Sequence, residues 1–169
     1  MTHKIIVDRR IVEDHWHLVE PDGAIPQDGD VIVVLAAWLA QRAALATRNG
    51  RTGVWLEPGD EPGMLAGDIA TLPVIAVHFP QFTDGRGYST ARLLRQRYGF
   101  KGELRAIGDV LRDQLFQLRR VGFNAFALKD GRNIEDALGA FNDFSDAYQS
   151  AVDLPAPSYR RRLAGGAVT

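Results

Sequence analysis

The sequence of 169 residues contains no cysteine. Disulfide bonds, thiolate zinc sites, cysteine-ligated iron–sulfur clusters and thiol nucleophiles are therefore excluded. Histidine is sparse as well, with four residues, of which only His15 and His17 lie close together. Because two imidazoles without a further ligand are a weak metal signal, we expect no metal site.

The chain also lacks an excess of charge and a long apolar run. Its formal net charge of -1 gives no overall field that would attract nucleic acid or an anionic membrane. The longest apolar run, Val31 to Ala40, is about half as long as a membrane span. The first residues lack the apolar region of a signal peptide. We therefore expect a cytoplasmic protein that binds neither nucleic acid nor membrane.

What the chain does have is a hydrophobic fraction of 46%, which suffices for one buried core. We expect residues 1–155 to form a single α/β domain. Within it, residues 1–29 should form a short antiparallel N-terminal β arm and a loop. Residues 156–169, with three consecutive arginines followed by Gly165 and Gly166, should form a flexible tail.

Short apolar segments alternate with amphipathic ones over the rest of the chain. Strands are predicted at Val31–Leu35, Val54–Leu56, Val74–Phe79, Leu104–Ile107 and Ala125–Leu128. Helices are predicted at Leu39–Arg48, Tyr88–Tyr98, Val110–Val121 and Ile134–Ala151. This alternation is typical of an α/β fold with a mostly parallel sheet of about five strands and flanking helices. The pattern leaves open whether that sheet is open and doubly wound or a partial barrel.

Both architectures place their binding loops at the carboxyl ends of the parallel strands. In this sequence those positions hold Ala36 to Trp38, Glu57 to Asp60, His78 to Ser89, Gly108 and Asp109, and Lys129 to Arg132. Polar residues that are far apart in the chain are thus expected along one rim, namely Asp84, Arg86, Tyr88, Ser89, Asp109, Lys129 and Asp130.

The loop from Phe79 to Ser89 is the strongest local signal. Gly85 and Gly87 are expected to take positive φ and to turn their N–H groups toward one point. Ser89 is predicted as the N-cap of a helix whose free N–H groups and dipole attract negative charge.

Arginines near this loop strengthen the prediction, since Arg86, Arg92 and Arg95 are expected to surround a bound anion. The sequence therefore predicts a ligand site for a small anion, made of Thr83, Asp84, Gly85, Arg86, Gly87, Tyr88, Ser89, Arg92 and Lys129. The structural alternative is that Arg92 pairs with Asp84 or Asp109 and that the loop has no ligand.

Two residues are candidates for catalysis. His78 ends a strand on the same face as Val74 and can act as a general acid or base, because imidazole exchanges protons near neutral pH. The alternative for His78 is a strand-end histidine that is hydrogen-bonded to backbone. Asp109 follows the next strand, where it could serve as a base, or it is simply the N-cap of the following helix.

Two segments carry a resemblance to a known family. Phe79 to Arg95 reads Phe-Pro-x-Phe-Thr-Asp-Gly-Arg-Gly-Tyr-Ser-x-Ala-Arg-Leu-Leu-Arg, and Gly102 to Gln114 reads Gly-Glu-Leu-Arg-Ala-Ile-Gly-Asp-Val-Leu-Arg-Asp-Gln. Both resemble the bacterial family called domain of unknown function 934, over nearly the whole chain but only loosely in the N-terminal arm. Members are commonly encoded beside assimilatory sulfite reductase and are described as oxidoreductases of sulfite reduction. That description rests on gene neighbourhood, so the resemblance implies a pathway and carries no catalytic residues.

Three functions remain open at this point. The resemblance favours an accessory or oxidoreductase-type protein of assimilatory sulfite reduction, and in the absence of cysteine any electron transfer would require a bound flavin or nicotinamide. The second is a non-catalytic module that binds a small anion or a phosphorylated ligand. The third is a docking subunit that binds sulfite reductase or its electron donor.

Overall fold

The computed structural model describes residues 3–143, 149–158 and 160–161. Its strands are β1 (Lys4–Val7), β2 (Arg10–Glu13), β3 (His17–Leu18), β4 (Val31–Val34), β5 (Thr52–Leu56), β6 (Val74–Phe79), β7 (Glu103–Gly108) and β8 (Ala125–Phe126). Its α-helices are α1 (Leu35–Leu45), α2 (Arg86–Gln96), α3 (Leu115–Arg120) and α4 (Ile134–Gly139). Short 3-10 helices span Pro62–Leu65, Arg112–Gln114 and Ala140–Asn142.

All the strands described belong to one sheet with the order β2-β1-β8-β7-β6-β5-β4-β3. From β3 to β8 each strand pairs in parallel with the next one in the chain. At the other edge, β1 pairs antiparallel with both β8 and β2. The α/β class and the five central parallel strands are as predicted.

The predicted sheet of about five strands is too small, because the predicted antiparallel N-terminal arm belongs to the same sheet. The N-terminal hairpin extends the same sheet because β1 pairs with β8, and Ile5 and Ile6 of β1 are buried at 1% and 0% exposure. The short strand β3 continues the sheet at the opposite edge by pairing with β4.

The sheet is strongly curled. Strands β2 and β3 lie at opposite edges, yet only residues 14–16 connect them. The chain from Glu13 to His17 spans at most about 14 Å, whereas a flat sheet of this many strands would be about 34 Å wide. The edges must therefore approach each other, and the partial barrel is the correct one of the two predicted architectures.

The two faces of the curled sheet have different partners. The helices cover the convex face, where the main core contains Val54, Leu56, Ile75, Val77, Leu104 and Phe126 together with Ala91 and Leu94 of α2 and Leu115 and Leu118 of α3. Alternate residues of the same strands form a smaller cluster on the concave face, namely Ile32, Trp55, Val74, Ala76 and Ile107. Trp16, from the segment that connects the sheet edges, packs against this concave cluster.

Several helices differ from their predicted bounds. α1 begins at Leu35, directly after β4, rather than at Leu39. The helix predicted at Val110–Val121 begins later, because Leu111 is extended at φ -109 and ψ 154 and a 3-10 turn precedes α3.

The C-terminal helix is also shorter than predicted over the described residues. It ends at Gly139, a residue of low helix propensity, and passes into a 3-10 turn. Residues 144–148 of the predicted helix lie outside the described residues, as does most of the predicted tail, including residues 162–169. Within the described part of that tail Ser158 is buried. Of the helices that the structure describes, none combines the length and apolar character needed to cross a membrane.

Candidate functional site

A cavity of about 720 Å³ lies on the concave face and reaches the carboxyl ends of β6, β7 and β8. Its volume is in the range of small-molecule binding sites. Its polar lining consists of His3, Asp14, His78, Arg105, Asp109, Lys129 and Asp130. Its apolar lining includes Trp16, Leu18, Phe79, Pro80, Ile107, Ala127 and Leu128.

Arg105 on β7 anchors the segment that crosses the concave face. Its Nη1 donates a hydrogen bond to Asp14 Oδ2 at 2.8 Å, and its Nε donates to Glu103 Oε1 at 2.7 Å. The Arg105 side chain is only 3% exposed, and Asp14 belongs to the connection between β2 and β3. This ion pair therefore holds the crossing segment against the sheet at one end of the cavity. Within the described part of the chain, Arg105 Nη2 has no hydrogen-bond partner.

His78 lies in the cavity wall near the end of β6. Its Nδ1 is 2.9 Å from Oε2 of Glu57, which follows β5, the parallel neighbour of β6. An ionised carboxylate only accepts hydrogen bonds, so Nδ1 carries a proton, and in the neutral imidazole Nε2 then has the lone pair. The partner of His78 is thus a carboxylate, not the backbone that the structural alternative supposed.

Trp55 supports this histidine on the concave face. The Trp55 and His78 rings meet edge-on with their centroids 5.2 Å apart. Glu57 is itself positioned by its backbone N–H, which donates to Asp60 Oδ2 at 2.8 Å. The His78 ring is therefore held by a carboxylate and by an aromatic edge.

At the rim of the cavity, Asp109 connects two loops. Its Oδ1 lies 2.8 Å from Lys129 Nζ, and its Oδ2 accepts a hydrogen bond from the backbone N–H of Phe82 at 3.1 Å. The Lys129 ammonium, and after it the Phe82 amide, lower the pKa of Asp109. The prediction of Asp109 as a helix N-cap is wrong, because α3 begins at Leu115 and Asp109 binds the loop after β6 instead.

Part of the predicted rim is brought together by the fold. His78, Asp109, Lys129 and Asp130 line the cavity, whereas residues 83–89 lie outside its lining. Asp14, Trp16 and Arg105 were missed. The alternation of Glu103 and Arg105 with Leu104 and Ala106 was a sequence signal that one face of β7 carries charge.

The loop after β6 differs from its predicted geometry. α2 begins at Arg86 with Gly85 as N-cap, so Ser89 lies inside the helix and the N-cap prediction is wrong. Asp84 Oδ1 accepts a hydrogen bond from the backbone N–H of Arg86 at 3.1 Å, and its Oδ2 lies 2.6 Å from Arg86 Nη2. The Arg86 side chain, and then its backbone N–H, lower the pKa of Asp84 to about 2. A carboxylate of the chain itself therefore lies at the helix N-terminus, and binding of an external anion there stays a prediction.

The predicted positive φ of Gly85 and Gly87 is wrong. Gly85 has a φ of -80°, and Gly87 is not among the positive-φ glycines. Gly87 is required for packing, because a Cβ at this position would lie 2.5 Å from Phe79 Cζ and 3.1 Å from Val77 Cγ1. The absence of a side chain lets α2 lie close to β6.

The arginines do not converge on the loop as predicted. Arg95 donates to the carbonyl oxygens of Phe100, Gly102 and Gly122, beyond the far end of α2. The pairing of Arg92 with Asp84 or Asp109 is not observed either, because Arg92 Nε donates to Gln96 at 2.9 Å.

The loop also bears on possible cofactors. A flavin or nicotinamide nucleotide commonly places its phosphate at a helix N-terminus after a glycine turn. At α2 this position holds the ionised Asp84 carboxylate, which would repel a phosphate, so the residues here do not fit a nucleotide. For metals, the described residues contain no group of three or more His, Asp or Glu side chains that could hold an ion.

Comparison with known proteins identifies the family. Residues 53–159 match the family described as "Bacterial protein of unknown function (DUF934)". The chain belongs to this family. The DUF934 match contains the cavity residues of β6, β7 and the segment after β8, but not Asp14 and Trp16. No curated protein and no solved structure matches the chain.

The packing role of Gly87 can be tested with one methyl group. We expect Gly87→Ala to lower the free energy of unfolding by about 1–3 kcal/mol, because the Cβ overpacks against Phe79. Gly67→Ala is the control, since nothing lies within 4 Å of its added Cβ, and it should change stability by less than about 0.5 kcal/mol. Chemical denaturation measures both, and equal stability of Gly87→Ala and the parent protein would contradict the packing role.

The ion pair at the start of α2 predicts a pH dependence. Because the pKa of Asp84 is lowered to about 2, its contribution to stability is present above the ordinary value of 3.8 and is lost as the pH falls toward 2. In Arg86→Ala the carboxyl pKa should rise toward its ordinary value, whereas Arg92→Ala should leave it unchanged. Carbon NMR of the carboxyl groups measures this, and an ordinary pKa for Asp84 in the parent protein would refute the pair.

Proposed function

We propose that the protein binds a small organic molecule in the concave cavity and exchanges a proton with it at His78. The observation that carries this proposal is that His78, which lines a cavity of about 720 Å³, is held by Glu57 at 2.9 Å from its Nδ1. A fixed imidazole with a free Nε2 is suited to general acid–base chemistry and to hydrogen bonding with a ligand.

The apolar part of the wall supports an organic ligand over an inorganic anion. Trp16, Leu18, Ile107 and Ala127 supply hydrocarbon surface next to the polar groups. Sulfite or sulfate would leave most of this surface without a contact, whereas a molecule with a ring or a carbon chain would cover it.

The resemblance implies a pathway, assimilatory sulfite reduction. Within it we propose that the protein is a cytoplasmic accessory protein. The placement rests on the gene neighbourhood of the DUF934 family, to which the chain belongs. The carboxylate of Asp84 at the start of α2 disfavours the oxidoreductase alternative in so far as it needs a nucleotide cofactor at that helix.

The ligand proposal is tested at His78. Protein purified under native conditions is searched by mass spectrometry for a retained molecule, and a fragment set is screened by ligand-observed NMR. We expect the compounds that bind to shift the His78 Nε2 nitrogen resonance. His78→Gln should weaken their binding by roughly three- to tenfold, the effect of one hydrogen bond.

A matched pair of variants tests the role of the carboxylate. Glu57→Ala should move His78 away from the Nδ1–H tautomer, which nitrogen NMR detects, whereas Glu20→Ala removes an exposed carboxylate and should not. Compounds that bind without moving the His78 resonances, or a screen without a single binder, would refute the proposed function.

A second candidate function is docking onto a protein partner through the outer face of α2. A shallow groove of about 410 Å³ is lined by Ser89, Arg92, Leu93, Gln96 and Arg97. Two arginines beside Leu93, which is 39% exposed, fit an acidic surface with an apolar centre. In the implied pathway the partner would be sulfite reductase or its electron donor, and the predicted anion loop at residues 83–89 would contribute to the contact.

Charge reversal tests this docking face. Arg92→Glu should weaken binding to purified sulfite reductase by at least about tenfold in interferometry, because a rim cation becomes a repelling charge. Lys101→Glu, an exposed residue outside the groove, is the control. Titration of the protein alone with sulfite, sulfate and phosphate separates a small-anion site from a protein contact. If Arg92→Glu and the parent protein bind equally well, the face is not used.

A further inference from the structure

Arg105 offers a hydrogen-bond donor that the described part of the chain does not use. Its side chain is 3% exposed, its Nε and Nη1 are bound to Glu103 and Asp14, and its Nη2 has no partner. Buried donors in native proteins nearly always have an acceptor. Arg105 lines the cavity, but its Nη2 is closed to solvent in this structure, so an acceptor atom of a ligand reaches it only when the lining shifts slightly.

The charges around the cavity limit what kind of acceptor this is. Arg105 is already contacted by two carboxylates, Asp14 and Glu103, so the guanidinium and its partners carry a net negative charge. At the rim the ammonium of Lys129 is paired with Asp109, and Asp130 adds a further carboxylate. A carboxylate or sulfite group would meet repulsion here, whereas an uncharged carbonyl oxygen would accept the hydrogen bond without it.

His78 provides a second polar group on the same face. In the register of β6 and β7, Arg105 is opposite Ala76 and His78 is opposite Ile107. Arg105 and His78 are therefore on neighbouring strands and two residues apart, which places their Cα atoms about 8 Å from each other. That separation suits a small ring, and the nearby Ile107 and Ala127 give it an apolar wall.

We propose that the ligand of this cavity is an uncharged, ring-sized compound with a carbonyl oxygen, which accepts a hydrogen bond from Arg105 Nη2. The inference rests on the proposed function, which it narrows to a ligand class. It adds Arg105 as the residue that determines specificity and excludes small acids as the preferred ligands.

The experiment compares probes that differ in one group. Nicotinamide and nicotinate have the same ring, but the first carries an uncharged amide and the second a carboxylate at neutral pH. Benzamide and benzoate form a second such pair. Affinities are measured by titration and NMR with the full chain, and the Arg105 side-chain N–H resonances are observed in the same samples. We expect the amides to bind at least about tenfold more tightly than the acids and to shift the Arg105 resonances.

A charge variant tests the reason for that preference. Glu103→Gln removes the charge of one of the two carboxylates that contact Arg105. The glutamine side chain keeps the size of glutamate and one acceptor oxygen. It should reduce the preference for amide over acid several-fold, whereas Glu135→Gln, an exposed residue of α4, should not. Truncation of Arg105 itself is less informative, because it would leave Asp14 and Glu103 without their cation and endanger the fold.

The outcomes separate this inference from the proposed function. If the acids bind better than the amides and shift His78, the ligand class is wrong and the proposed function stands. If the amides bind without any change at Arg105, Nη2 does not contact the ligand and the inference is likewise overturned. If neither class binds and the fragment screen also finds no binder, the proposed function fails and this inference falls with it.

Discussion

The buried ion pair between Asp14 and Arg105 is the contact on which the cavity depends. Residues 14–16 connect the two edges of the curled sheet, and the pair fixes this connection to β7, 91 residues further along the chain. Burying such a pair costs desolvation free energy. Removing one partner destabilises the fold more strongly, because the other partner becomes an unpaired buried charge. The second carboxylate, Glu103, completes the coordination of Arg105. The pair thus holds the segment that carries Trp16, which packs against the concave cluster and lines the cavity.

The central part of the fold could be predicted because it is encoded locally. Apolar runs such as Val74–Phe79, bounded by turns, indicate parallel strands, and the rule that binding loops follow such strands places His78 and Asp109 on one rim. The pairing of β1 with β8 and the crossing of residues 14–16 have no local signal, because they join segments more than 80 residues apart. The ion pair of Arg105 was missed for the same reason: the sequence shows Glu103 and Arg105 within one strand, but not Asp14, which lies 91 residues away.

The loop after β6 shows why a correct local pattern gave a wrong site geometry. Glycines, arginines and a helix start favour an anion. The sequence does not show whether that anion is a ligand or a carboxylate of the chain itself. The Asp84 carboxylate is two residues from Arg86 and reaches both its backbone N–H and its guanidinium, so the demand for negative charge is met within the chain. Gly87 is likewise needed for another reason than the predicted one. A side chain at this position would collide with Phe79 and Val77, whereas its backbone does not take a positive φ. In this loop the residues that predict an anion site are satisfied by their own neighbours in the chain.

The cavity has complementary polar groups on adjacent strands. Arg105 carries a donor with no partner in the described chain, whereas the contact with Glu57 places the lone pair of a neutral His78 on Nε2. A donor and an acceptor on the same face, about 8 Å apart at the Cα atoms, match a molecule that has both a carbonyl oxygen and an N–H group. An amide or a lactam ring has this combination and carries no charge to conflict with Asp14, Asp109 and Asp130. The same arrangement is the reason for the proposed preference against anions in this cavity: Arg105 and Lys129 are already paired with carboxylates, and Asp130 adds another.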